Sequence, residues 1–240
     1  GNSADYGGGM YNLDLSSPTL TNCNFTSNSA EYGGGMRNSS SSSPTLANCT
    51  FTSNSADIGG GMANKDSSSP TLTDCTFTSN SAYDGGGMLN DSSSPTLTGC
   101  TFMDNSADED GGGMYNVFSS PALTDCTVTN NSAYDGGGMF NVAGCSWTIT
   151  NCTFTLNTAG NNGGAMHNAS GGSGYNEPMA DRPPPPERPE LVSARAAVAA
   201  RPRDARAQLA LAQAFDRAKC ADEAIASVRT AHALDPGLAP

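Results

Sequence analysis

Basic residues are scarce in this 240-residue sequence, which holds 11 Lys and Arg against 23 Asp and Glu. Residues 1–174 contain only two of these bases, Arg37 and Lys65. This part of the chain carries the whole formal net charge of −12. Nucleic acids and anionic membranes are bound through clusters of Lys and Arg. The shortage therefore excludes binding to nucleic acid and favours an extracellular or cell-surface location.

Long apolar runs and closely paired cysteines are missing as well. No stretch approaches the roughly 20 apolar residues of a membrane-spanning helix, so we expect no membrane insertion. The eight cysteines have neither the C-x-x-C spacing of a zinc site nor the spacing of a small disulfide framework. We therefore expect buried, reduced thiols rather than a metal site or a disulfide network.

The sequence is instead rich in internal repetition. The motif that reads "NSAEYGGGM" at Asn28 recurs at intervals of 25 or 26 residues, and cysteine and methionine follow the same period. The copies begin at Asn2, Asn28, Asn54, Asn80, Asn105 and Asn131, with a weaker copy at Asn157. Such a period predicts a solenoid whose units bury their apolar faces only against their neighbours.

Within each unit the pattern predicts strands and corners. In "SPTLTDCTFTSNSA", apolar and polar residues alternate around Leu72 and Phe77. Asp74 interrupts the alternation, so Leu72 and Cys75 both point inward only if the chain bends there. The sequence thus predicts an all-β fold over residues 1–170, a parallel β-helix of about seven coils of 25–26 residues. Repeated Leu, Cys, Phe and Met would stack inward in columns, with coils about 4.8 Å apart.

Two recurring motifs resemble those of a known family. "FTSN" is followed in most units by "GGGM", and the last unit has "GGAM" at Gly163 to Met166. These are similar to the paired F-x-x-N and G-G-A-aliphatic motifs of the polymorphic outer-membrane protein repeats. The resemblance covers about residues 1–170, and it implies a right-handed β-helix that is displayed on a surface as an adhesin.

The rest of the chain has a different composition. Residues 171–189 are rich in Gly and Pro, which predicts a linker. Residues 190–240 are rich in Ala and Arg, which predicts a short α-helical segment. The stretch from Asp204 to Pro236 resembles a tetratricopeptide unit. One and a half such repeats do not bury a solenoid core, so we expect this segment to continue in a longer chain, to pack on a protein partner or to be partly disordered.

Threonine fills most of the outward positions beside the Leu and Phe columns. The resulting Thr-x-Thr ranks resemble the faces of ice-binding proteins, although threonine is also favoured on any exposed strand face. The bend at Asp74 would divide one wide face into two narrow ones. The residues of this candidate binding face are Thr50, Thr52, Thr71, Thr73, Thr76, Thr78, Thr96 and Thr98.

An acidic residue precedes each triple glycine by one or two positions, which predicts a column of carboxylates. Like charges one coil apart repel, so either solvent and salt screen them or Ca²⁺ bridges them. Ca²⁺ takes six to eight oxygen ligands, and each coil offers only one or two carboxylates, so solvated corners are favoured. Ca²⁺ is the one candidate cofactor. Its candidate ligands are Asp84, Glu109, Asp110 and Asp135.

An enzyme hypothesis centres on the least regular unit, which contains Met103, Asp104, Asp108, Glu109 and Asp110. Many β-helices cleave polysaccharides with carboxylates. The unit has no Arg or Lys, which argues against a lyase. An acid-pair hydrolase that uses Asp108 and Asp110 is the enzymatic alternative that survives.

The expected function is non-catalytic, as an adhesin, a stalk or a self-assembling filament subunit. Inward positions serve packing and outward positions carry small polar side chains, so no assembled active site is predicted. The expected partners are other copies of the chain, through end-to-end stacking, or a surface receptor or glycan. The sequence opens in mid-repeat at Gly1, so we expect the first coil to be covered by further sequence or by another molecule.

Overall fold

The computed structural model describes residues 1–142 and 144–169. These residues form 25 short strands, and none of them belongs to a helix that is long and apolar enough to cross a membrane. The predicted linker at 171–189 and the predicted helical segment at 190–240 lie outside the described residues. The all-β prediction for the repeat region is confirmed.

The strands form four parallel sheets, which we name after a residue of each inward column. The Met sheet contains β1 (Met10–Asn12), β5 (Met36–Asn38), β9 (Met62–Asn64), β13 (Met88–Asp91), β17 (Met114–Val117), β21 (Met139–Asn141) and β25 (Met166–Asn168). The Leu sheet contains β2 (Thr19–Thr21), β6 (Thr45–Ala47), β10 (Thr71–Thr73), β14 (Thr96–Thr98), β18 (Ala122–Thr124) and β22 (Thr148–Thr150). The Phe sheet contains β3 (Asn24–Thr26), β7 (Thr50–Thr52), β11 (Thr76–Thr78), β15 (Thr101–Met103), β19 (Thr127–Thr129) and β23 (Thr153–Thr155). The Ala sheet contains β4 (Ser29–Tyr32), β8 (Ser55–Ile58), β12 (Ser81–Ala82), β16 (Ser106–Ala107), β20 (Ser132–Asp135) and β24 (Thr158–Asn162).

Six coils are complete, and each contributes one strand to the Leu, Phe, Ala and Met sheets in that order. A partial coil before them contributes β1 and two isolated bridges. The prediction of about seven coils is therefore corrected to six complete coils and one partial coil. Equivalent residues pair from coil to coil, as Leu72 pairs with Leu46 and Leu97.

The core is a continuous interior built from the Leu, Cys, Phe and Met columns that the sequence predicted. The Phe rings stack nearly face to face, with centroids 4.7 Å apart for Phe25 and Phe51 and 4.6 Å apart for Phe51 and Phe77. Leu46, Cys49 and their equivalents in the next coils are fully buried. Because each coil repeats the same side chains, each layer has the shape of its neighbours, and close packing is satisfied coil by coil.

The corner between the Leu and Phe sheets has a left-handed backbone. Asp74 has a φ of 52°, and Gly99, in the same position of the next coil, has a φ of 64°. Asn, Asp and Gly adopt this conformation most readily. The bend brings Leu72 and Cys75 to the same interior, as predicted.

The triple-glycine corner between the Ala and Met sheets depends on the absence of side chains. Its first glycine has a left-handed backbone, with a φ of 67° at Gly85. A Cβ at Gly86 would lie 2.3 Å from the carbonyl oxygen of Ser106 and 2.6 Å from that of Gly112. Successive coils therefore approach each other too closely at this corner for any side chain.

Two buried columns of asparagine were missed by the sequence analysis. In the Met sheet, Asn38 Nδ2 donates to Asn64 Oδ1 at 2.8 Å, and the same bond recurs in the following coils. At the corner after the Phe sheet, Asn80 Nδ2 donates to Asn105 Oδ1 and to the Phe51 carbonyl, both at 2.9 Å. Buried amides must be paired. The available signal was an asparagine that recurs in each coil at both positions, in the Met sheet next to residues that vary.

The cysteine column consists of free thiols among the described residues. Cys49 and Cys100 are fully buried, whereas Cys23 and Cys152, at the two ends of the column, are partly exposed. Cys75 Sγ lies 3.3 Å from the carbonyl oxygen of Thr73, to which it donates. The thiols therefore serve the core as small apolar groups with a weak donor.

We expect Cys49 to contribute a loss of stability as the pH rises above about 9. Burial raises the pKa of the Cys49 thiol above its ordinary value of 9.0. Above that value the unfolded chain releases a proton that the folded chain retains, so the free energy of unfolding falls, whereas below it the stability is fully present. Urea unfolding at pH 7.5 and at pH 10 measures the fall, which should be smaller in Cys49→Ala. A native Cys49 that reacts with a thiol reagent as fast as the unfolded chain would contradict its burial.

Candidate functional site

The acidic residues before the triple glycines form two columns, which corrects the single column predicted from the sequence. Ile58 bridges to Asp84 and Asp110 bridges to Asp135, so the positions directly before the glycines are in register. The neighbouring column, one residue earlier, holds Asp5, Glu31, Asp57, Tyr83, Glu109 and Tyr134. Asp84 and Asp110 are only 2% and 4% exposed, whereas Asp57 is exposed. Acidic and aromatic residues exchange places between units, and the spacing alone did not reveal the exchange.

A layer of side chains covers the outer surface of the Met sheet, and we call it the outer layer. It combines the column directly before the glycines with the middle residues of the Met-sheet strands. Its members are Tyr6, Tyr32, Ile58, Asp84, Asp110 and Asp135 in the first column and Tyr11, Arg37, Ala63, Leu89, Tyr115, Phe140 and His167 in the second. Leu89 follows the inward-pointing Met88 in the strand, so its side chain points outward, yet it is fully buried. A Cβ at Gly85 would lie 2.9 Å from the Cβ of Leu89, so the bare corner provides the room for this packing.

The electrostatics of the outer layer change along the stack, from basic and aromatic residues to three successive carboxylates. Asp84 Oδ1 accepts a 3.3 Å hydrogen bond from the backbone N–H of Asp110. Asp135 Oδ1 accepts a 2.7 Å hydrogen bond from the backbone N–H of Asn162 and lies 3.7 Å from His167 Nδ1. These hydrogen bonds bring backbone N–H groups to the carboxylate oxygens and offset part of the repulsion between neighbouring carboxylates.

The four candidate calcium ligands are not all brought together. Asp84, Asp110 and Asp135 share the outer layer, but Glu109 lies in the neighbouring column. Within residues 1–142 and 144–169, no group of three or more His, Cys, Asp and Glu side chains is arranged to hold a metal ion. Two nearly enclosed carboxylates and a third beside a histidine do not provide the six to eight oxygens that Ca²⁺ takes.

The candidate hydrolase pair is divided between two environments. Asp108 lies between Asn105 and Gly111, in a segment that is one residue longer than its counterpart between Asn80 and Gly85. The side chain of Asp108 is exposed. Asp110 is buried in the outer layer. Asp104 is exposed at the corner after the Phe sheet, where it accepts a hydrogen bond from Asn130. A glycoside hydrolase needs two carboxylates that flank one bond of the substrate, and Asp110 is out of reach of a sugar.

The candidate threonine face is divided into two, as the sequence predicted. Thr71, Thr73, Thr96 and Thr98 lie on the Leu sheet and are exposed. Thr50, Thr52, Thr76 and Thr78 lie on the Phe sheet and are partly buried. The left-handed corner at Asp74 separates the two ranks. Met103 interrupts the rank on the Phe sheet, because it takes the place of threonine opposite Thr78.

Arg37 and the tyrosines around it were also missed by the sequence analysis. Its guanidinium carbon lies 4.3 Å from the ring centroid of Tyr6 and 4.8 Å from that of Tyr32. These two tyrosines occupy the same position directly before the triple glycines of successive units. The available signal was an arginine in a column of otherwise uncharged residues, next to a column that contains tyrosines.

Comparison with known proteins supports the architecture. A family model described as a right handed beta helix region matches residues 2–159, which is more than half of the chain. The matched residues include five of the six complete coils and most of the last one. No curated protein and no solved structure matches the chain.

Proposed function

Because the chain belongs to the right-handed β-helix family, we propose that it is a non-catalytic rod that works outside the cell or on its surface, as an adhesin, a stalk or a self-assembling filament subunit. The observation that carries this proposal is the uniform coil-to-coil register of the Leu sheet. Strand β10 pairs in parallel with β14, so that Thr71, Leu72 and Thr73 lie beside Thr96, Leu97 and Thr98. The other strand pairs of the Leu sheet have the same register. Catalysis requires a place where two groups have different environments and a substrate reaches both. Uniform coils favour a structural or contact role instead.

The outer faces of the Leu and Phe sheets support a role in contact. Thr73 and Thr98 are exposed and in register, so the rod presents small polar groups at regular intervals of about 4.8 Å. A flat, regular face of this kind suits a surface receptor or a glycan. The acidic charge of the rod disfavours side-by-side association through repulsion, and this leaves the ends for self-association.

The first test combines imaging with assays for attachment and turnover. Negative-stain electron microscopy with and without a chelator is expected to show short rods or end-to-end filaments. We expect the protein to attach to cultured cells and to release no sugar from acidic or neutral polysaccharides. Sugar release that is lost in Asp110→Asn, but kept in a control variant of an exposed acid such as Asp14→Asn, would contradict the non-catalytic proposal.

Ice binding is a second candidate, because the exposed threonines of the Leu sheet are in register. Thermal hysteresis of the purified protein distinguishes this candidate from a receptor or glycan contact. Hysteresis that Thr73→Tyr abolishes, and that Thr78→Tyr on the Phe sheet leaves in place, would favour ice binding. Cell attachment without hysteresis is the outcome that the adhesin proposal expects.

A further inference from the structure

Four cysteines in the middle of the rod form a closed column of thiols. They lie in successive coils, belong to the hydrophobic core and are at most 1% exposed. The four are Cys49, Cys75, Cys100 and Cys126, and all of them are free thiols. Cys23 and Cys152, which are partly exposed, lie in the coils before and after them. The burial of the four therefore comes from complete coils within the rod and not from its two ends.

Each thiol of this buried column donates to a backbone carbonyl of its own coil. Cys75 Sγ donates to the Thr73 carbonyl, and Cys126 Sγ donates to the Thr124 carbonyl, both at 3.3 Å. Cys126 Sγ also lies 3.7 Å from the Leu97 carbonyl of the preceding coil. A sulfur that has been oxidised to a disulfide has no proton to donate, so oxidation would remove these contacts. The packed interior therefore fits the thiol form of the column.

The oxidised forms of these cysteines do not fit the rod. Cysteines two coils apart are separated by about 9.6 Å, which is twice the spacing of adjacent coils. Cysteines whose Cα atoms are more than about 7 Å apart are not bridged unless the backbone moves. The sequence has eight cysteines, and most of the pairs that they can form do not join neighbouring coils. A mixed disulfide with glutathione would add a tripeptide where the close-packed interior has no room for it.

We propose that the buried column makes folding of the rod conditional on reduced thiols, and that the folded rod then protects these thiols from oxidation. In the unfolded chain a cysteine thiolate attacks a small disulfide such as oxidised glutathione, which forms a mixed disulfide and releases one glutathione thiolate. A second cysteine thiolate attacks the mixed disulfide, which forms an internal disulfide and releases the other glutathione thiolate. The protons of the two cysteines pass through solvent to the released thiolates.

Oxidation before folding therefore excludes the chain from the rod, whereas oxidation after folding does not reach the column. The order of folding and oxidation matters most in oxidising compartments, where disulfides form and persist. The device does not depend on the adhesin, stalk or filament role proposed above, because it concerns how the rod forms and not what the rod contacts.

Refolding of the full chain from urea at pH 8, with either dithiothreitol or oxidised glutathione in the buffer, tests the proposal. Circular dichroism measures the yield of β-helix. We expect full recovery with dithiothreitol and a yield at least fivefold lower with oxidised glutathione. Dithiothreitol that is added later should restore the trapped chain, which distinguishes a disulfide trap from irreversible aggregation. The native rod, kept in the same oxidised glutathione for the same time, should retain its spectrum and carry no glutathione on Cys75 or Cys100.

A variant without the other four cysteines shows whether the buried column is sufficient for this sensitivity. It carries Cys23→Ala, Cys145→Ala, Cys152→Ala and Cys220→Ala, and we expect oxidised glutathione to lower its refolding yield at least threefold. Peptide mapping of the trapped parent chain, which needs no variant, should find Cys75 and Cys100 oxidised. Equal yields of the parent protein in both buffers, a variant that oxidised glutathione does not affect, or a trapped chain with free Cys75 and Cys100 would overturn the proposal. Modification of Cys75 and Cys100 in the native rod at the rate of the unfolded chain would also overturn it.

Discussion

Replacing Gly86 by alanine is expected to destabilise the rod by about 4 kcal/mol or more, which is at the upper end for a single substitution. The new Cβ would lie 2.3 Å from the Ser106 carbonyl oxygen and 2.6 Å from the Gly112 carbonyl oxygen. Both are backbone atoms of the next coil. Gly86 also donates its N–H to the Gly111 carbonyl at 3.1 Å. The clash is therefore relieved only by parting the coils and breaking their hydrogen bonds.

Urea unfolding followed by circular dichroism measures the loss. Gly160→Ala is the matched control, because a Cβ there meets Tyr134 Cδ2 at 3.4 Å, an ordinary contact, and the backbone of Gly160 is not left-handed. The control is expected to stay within about 1 kcal/mol of the parent protein. If Gly86→Ala and Gly160→Ala unfold at the same urea concentration, the close approach of the coils at this corner is refuted.

Replacing Asn80 by alanine is expected to cost about 3–5 kcal/mol. The side chain is fully buried and makes four hydrogen bonds. Its Oδ1 accepts from the backbone N–H and from Nδ2 of Asn54, and its Nδ2 donates to Asn105 Oδ1 and to the Phe51 carbonyl. Each partner left unsatisfied in the interior costs about 1–3 kcal/mol, less where water enters the space.

Asn90→Ala provides a graded comparison for Asn80→Ala in the same unfolding experiment. Asn90 is also fully buried, but its side chain makes two ladder hydrogen bonds, with Asn64 and Asn116. We expect a loss of about 2 kcal/mol for Asn90→Ala and no more than about 0.5 kcal/mol for the exposed Thr73→Ala. Equal losses for the two asparagine variants would contradict the view that the number of buried amide partners determines the cost.

The repeat architecture was predictable because it depends on spacing alone. Leu72, Phe77 and Met88 recur at a constant interval, and stacking equal side chains in equal positions follows from that interval. The bend at Asp74 was predictable for a different reason. A left-handed backbone is open to few residue types, so Asn, Asp and Gly at one position indicate it without any knowledge of the tertiary contacts.

The asparagine columns and the outer layer were not predictable from the same information. Asparagine is usually exposed, and the burial of Asn80 depends on amide partners one coil away. The burial of Asp84 depends on a second layer of packing outside the sheet, next to Leu89. The outer layer also requires the register of the residues before the glycines, which the exchange of acidic and aromatic residues hid.

The constant interval of the ladders also determines how the rod assembles from an unfolded chain. Ladder hydrogen bonds join residues 25, 26 or 27 positions apart. Every coil therefore closes a loop of nearly the same length, and the entropy lost in closing it is nearly the same at each step. Once two coils have formed a nucleus, each further coil is templated by the one before it. During synthesis, one further coil becomes available to this template for each 25 or 26 residues that emerge.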